Sequence, residues 1–138
     1  MRLWLTAALA MTGIGAVCAD VIVGANGGII RAAGDYQFEL VVKPYRDVRE
    51  TAIVVFVTDQ AGNPVVIAGA RGRAEFSSGG LKGVATLHPD GANRMKGYGL
   101  MSAKPNLRIE VSISISGQAP QHARFQPLTQ QTPRQSPR

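Results

Sequence analysis

A chain of 138 residues, 45% hydrophobic, 17% charged and 6% aromatic, fits one small globular domain. That composition excludes a coiled coil, a collagen-like chain, a disulfide-rich miniprotein and a long disordered polypeptide. Lysine and arginine number 15 against 9 acidic residues, a net charge of +6, and the one cysteine rules out a disulfide within the chain.

The N-terminus reads as a targeting segment. Arg2 precedes an uncharged apolar run from Leu3 to Ala19 that contains Gly13 and Gly15 and ends at Asp20. This is the outline of a secretory signal peptide, and the run is marginal in length for spanning a bilayer. Val17-Cys18-Ala19 predicts cleavage after Ala19, so residues 1–19 are the expected signal peptide. The expected location is the periplasm, with no transmembrane span after cleavage. Lipoprotein anchoring at Cys18 is the competing reading, but Gly15, Ala16 and Val17 match the usual Leu-Ala-Gly preference poorly. Loss of Arg2 lowers the net charge by one unit to +5, of which Arg134 and Arg138 supply two.

After Asp20 the periodicity is that of strands. Tyr36, Phe38, Leu40 and Val42 alternate with Gln37, Glu39 and Lys43, which predicts a strand over 35–43 with those polar residues on a wet face. Thr51 to Thr58 is β-branched and apolar on both faces, as expected of a central strand. Leu107, Ile109, Val111, Ile113 and Ile115 alternate with Arg108, Glu110, Ser112, Ser114 and Ser116, another half-buried strand. Shorter strands are predicted at 28–31, 65–67, 71–76, 82–87, 93–97 and 122–125. Turn formers separate them at Asn26-Gly27-Gly28, Gly34-Asp35, Gly62-Asn63-Pro64, Gly79-Gly80, Asp90-Gly91 and Gly117. The pattern predicts an all-β domain over 20–126, an antiparallel immunoglobulin-like β-sandwich of about seven to nine short strands. Residues 127–138, rich in Pro and Gln, predict a disordered tail.

Catalytic signatures are missing: there is no Gly-x-Ser-x-Gly elbow and no His-Glu-x-x-His helix, and the stretch Gly24 to Gly28 lacks the spacing of a phosphate loop. A non-enzymatic protein is expected. His88, Met95, Met101 and His122 are the soft or borderline ligands of the domain, a set suited to copper or zinc in an oxidising compartment. No two of them show a recognised metal spacing; Met95 also reads as a core residue, and Met101 is expected in a loop. Arg71 and Arg73 alternate onto one strand face, and with Lys82, Arg94 and Lys96 they would form one basic surface if their strands are neighbours. The same charges also suit a solvated face that discourages edge pairing. Nucleic acid is not an expected partner, since no aromatic RNA-binding pair and no recognition helix is present.

A set of residues then carries a resemblance. Gly27-Gly28, Gly34-Asp35-Tyr36-Gln37-Phe38, Asp59 with Gly62-Asn63-Pro64, Gly69-Ala70-Arg71-Gly72, Leu87-His88-Pro89-Asp90-Gly91 and Ala123-Arg124-Phe125 together resemble a family of small uncharacterised periplasmic proteins of proteobacteria. The chain is also similar to the β-rich N-terminal domain of some adaptor subunits of heavy-metal efflux systems. In such relatives a histidine commonly precedes the first Gly-Gly and another falls in the following strand, where this chain has Asn26 and Gln37. The resemblance therefore implies a metal-stress context more than a metal site. It implies an accessory or binding protein with a periplasmic protein partner, such as a metal-efflux component, met through a sheet edge or the loop end bearing Asn26 and Asn63. The alternative expectation is an envelope module whose basic strand face binds an anionic polymer, a lipid head group or a partner protein.

Overall fold

The computed structural model describes residues 21–128, so the expected signal segment, Cys18 and most of the expected tail lie outside the described residues. Nine strands follow one another with no helix among the described residues: β1 (Ile22–Val23), β2 (Ile29–Ala33), β3 (Tyr36–Val42), β4 (Arg49–Asp59), β5 (Arg71–Ser78), β6 (Leu81–Pro89), β7 (Arg94–Met101), β8 (Arg108–Ser114) and β9 (Gln121–Phe125). All neighbours are antiparallel, in the order β1-β2-β3-β4-β7-β6-β5-β8-β9.

This is one sheet and not two stacked ones, which corrects the immunoglobulin-like sandwich expected from the sequence. Eight of the nine strands overlap those expected from the sequence, β1 being the exception, but strand count and turn spacing are shared by sandwiches and curled sheets, and only the pairing order separates them. A nine-stranded twisted sheet cannot remain flat and solvated on both sides. It curls into a half-barrel, and the curl brings β9 back beside β2. At that seam the Tyr36 hydroxyl donates to Gln118 Oε1 at 2.8 Å, and the Gln121 side chain lies against Gly34.

The concave face holds the core. Phe38 and Leu40 of β3, Ile53, Val55 and Val57 of β4, Met95 and Met101 of β7 and Ile109, Val111 and Ile113 of β8 are all buried there. β4 lies fourth of the nine strands, as its composition suggested, yet its two faces differ: Thr51, Ile53, Val55 and Val57 are buried, while Ala52, Val54 and Phe56 are half-exposed. Residues 65–67 form no strand; they belong to the β4–β5 connection, which seats the fully buried Ile67 over one end of the core, where its N–H donates to the Ala92 carbonyl at 3.3 Å. Leu128 packs half-buried against the core beyond the predicted domain end.

Two inner-face glycines set the curl on one side. Gly83 of β6 is the register partner of Phe76 of β5, and the Phe76 ring lies over both Gly83 and Gly99 of β7, where an added Cβ would strike it. The ring fills the space two missing side chains leave, and the three strands wrap closely around it. The β5–β6 hairpin turns on Gly79 and Gly80, with φ of 55° and 87°, the pair of positive values a type I′ turn demands. At the end of β4, Asp59 Oδ1 accepts from the Ala61 and Asn63 N–H groups, both at 2.9 Å.

Two outcomes follow from these contacts. Gly99→Ala should lower unfolding stability by about 1–3 kcal/mol in urea titrations, through overpacking against Phe76. Phe76→Leu in the same chain should recover part of that loss, whereas an additive double variant would show that the ring is not what Gly99 accommodates. The backbone hydrogen bond from Asn63, with help from its side chain and from Ala61 and Gly62, holds the Asp59 carboxyl below the usual carboxylate value. A depressed folded-state pKa means that its stabilisation is present above the ordinary value of about 3.9 and is lost as the pH falls through the lower folded-state value. A carboxyl NMR titration of Asp59 should show the midpoint rising slightly in Asn63→Ala, which loses only the side-chain donor, and further in Asn63→Pro, which loses the backbone N–H.

Candidate functional site

The potential ligands picked from sequence occupy opposite faces of the sheet. Met95 and Met101 are fully buried on the inner face; Met101 ends β7 and is not in a loop, so the expected loop position is corrected. His88 and His122 are exposed on the outer face. His88 of β6 stands opposite Lys96 of β7, whereas His122 of β9 is hydrogen-bonded through Nδ1 to the Ser112 hydroxyl at 2.7 Å, with β5 and β8 between the two histidines. Among the described residues no three His, Cys, Asp or Glu side chains gather as metal ligands do.

The basic residues fare differently. β5, β6 and β7 are neighbours, so Arg71, Arg73, Lys82, Arg94 and Lys96 do share the outer face. Their charges are not equally available. Arg73 is ion-paired with Glu75, and Arg94 with Asp90 at 2.9 Å, while the Lys96 ammonium lies 5.4 Å from the centre of the Tyr98 ring. Arg71 stands opposite Ser114 at the far end of β5.

Register adds a residue that composition alone did not single out. Ser77 of β5 is the cross-strand partner of Lys82 on one side and of Arg108 of β8 on the other. Directly opposite residues have Cβ atoms about 4.5–5.5 Å apart, so a hydroxyl sits between two cations. Neither Lys82 nor Arg108 has a carboxylate partner among the described residues. The next outward row runs Val84, Glu75, Glu110, Arg124 across β6, β5, β8 and β9. Here two glutamates stand directly opposite one another, a repulsive arrangement. Arg73 on one side and Arg124, 3.3 Å from Glu110, on the other neutralise it. Along the two rows lies an open trough of about 590 Å³ that is also lined by Gly83, Phe76 and Ile109, the residues between them in sequence, and by Phe125. It has one acidic wall, already matched by arginines, and one basic wall with no carboxylate partner among the described residues.

A second polar cluster lies on β3 and was missed outright. Glu39, expected on a wet face, is only 7% exposed. The loop 24–28 folds over it, and its carboxylate accepts from Asn26 N–H at 2.8 Å, Asn26 Nδ2 at 3.0 Å and Gly28 N–H at 3.0 Å. Gly24 and Gly28 leave no room for a Cβ against Glu39 and the Leu40 carbonyl. Three donors to one buried carboxylate make this a structural clamp on the loop. The Gly-rich composition of residues 24–28 was the only signal, and it did not name the strand residue being covered.

A scan against protein-family models returns no match, and a search of curated proteins returns none. Among solved structures the chain is similar to a DUF4426 family protein from Pseudomonas aeruginosa, at 18% identity and a TM-score of 0.48, over 70% of this chain and 91% of that one.

Removing the clamp tests its role. Glu39→Ala leaves the Asn26 and Gly28 donors without their acceptor and should cost about 1–3 kcal/mol in chemical denaturation, with faster amide exchange at Asn26 and Gly28. Exchange unchanged at those two amides would show that the loop is held by other contacts.

Proposed function

We propose that the chain is a non-enzymatic binding domain of the cell envelope that engages an anionic partner through the outer face of β5, β6 and β8. The observation that carries this reading is the row Lys82–Ser77–Arg108, two unpaired cations flanking a hydroxyl on three adjacent strands. Desolvating a positive group is costly unless a negative one replaces its water, so a wall of unpaired cations beside a trough favours an anion from solution. Work outside the cytoplasm follows from the signal-like residues 1–19. An accessory role in metal tolerance, with an efflux component as partner, takes second place, because the two methionines that would serve as soft ligands are enclosed in the core.

Dextran sulfate provides the test. The full chain should bind it with an affinity that falls steeply between 50 and 300 mM salt. Lys82→Glu with Arg108→Glu should weaken binding at least about tenfold, while Arg94→Glu, whose charge is already matched by Asp90, should change it little. Equal losses per unit of charge changed in the two variants would point to diffuse attraction by net charge.

A further inference from the structure

Resting on that reading, we infer that the trough is a site for an anionic amphiphile with one phosphomonoester head, the head held by Lys82, Ser77 and Arg108 and the acyl or alkyl chain running over Val84. Three features select this chemistry. A lysine, a hydroxyl and an arginine in one cross-strand row present two full charges and several N–H and O–H donors, which suits a compact dianion with three free oxygens better than a planar monoanionic carboxylate. The opposite wall carries Glu75 and Glu110, each ion-paired with an arginine, so it offers no free cation to a second anionic group and the charge is confined to one end of the ligand.

The third feature is apolar. Val84 lines the trough and is 61% exposed, and on the outer face of β7, the strand beside β6, Leu100 is 58% exposed and Tyr98 54% exposed. Val84 beside the cationic wall, and the exposed side chains of the neighbouring β7, are accounted for together if a hydrocarbon chain leaves the trough over Val84 and runs toward that strand. The neighbouring cations do not compete for the head, since Arg73 and Arg124 are held by the two glutamates.

Monooctyl phosphate below its micellar concentration, compared with inorganic phosphate, separates head from chain in titrations of the full chain. The octyl compound should bind at least about tenfold more tightly than phosphate, since burying even two methylenes suffices for that ratio. Lys82→Gln with Arg108→Gln should weaken both ligands about tenfold or more. Val84→Ser should erode the preference for the octyl compound and leave phosphate binding unchanged. All three positions are exposed or half-exposed, so the variants should keep the wild-type amide spectrum. Equal affinity for the two ligands, or indifference to the double variant, overturns this inference. If dextran sulfate still binds through Lys82 and Arg108 while monooctyl phosphate binds no better than inorganic phosphate, the amphiphile assignment falls and the broader anion-binding reading stands. Failure of all three probes to bind overturns both.

Discussion

The packing of the Phe76 ring against the vacated inner faces of Gly83 and Gly99 is the contact on which the arrangement of β5, β6 and β7 depends. A side chain at either glycine would push the strands off the ring and flatten the sheet where it must bend. With both positions empty, one large aromatic serves three strands, and the curl that encloses the core on one face shapes the trough on the other. The trough adjoins that same packing, since Gly83 and Phe76 are both among the residues lining it. Site and core are thus two faces of one strand row.

Periodicity exposed much of the fold and little of its topology. The five alternating apolar residues from Leu107 to Ile115 were readable because half-burial imposes a period of two, and every one of them is buried. Which strand pairs with which depends on long-range register, to which local periodicity is blind, and so a single curled sheet and a two-layer sandwich looked alike. Glu39 shows a different limit. Alternation assigned it correctly to the face away from the core, but a loop thirteen residues upstream folds over that face and removes it from water.

The same limit governed the candidate site. Lys82 was legible as part of a basic face, but Arg108 was read only as the wet side of its own strand. Nothing local says that Ser77 stands between them. The paired glutamates explain why charge counting misled: Arg73 is positive in the sequence and occupied in the fold, so the available charge shifts from the centre of the basic face to its Lys82–Arg108 side. The clamp at Glu39 lies on β3 and shares no residue with the trough lining, although the closing curl brings β9 back beside β2 and β3. It fixes the entry of the chain into the sheet, where β1 contributes only two residues to hold the edge.

The account stands on the register that aligns Lys82, Ser77 and Arg108 across three strands. Amide chemical-shift mapping of the full chain during titration with monooctyl phosphate tests it directly. The predicted result is a set of perturbations confined to residues 75–77, 82–84 and 108–110, with smaller shifts at Tyr98 and Leu100 and none in the loop over Glu39. Perturbations centred on Arg71, His88 and Lys96, or on Asn26 to Gly28, would contradict it.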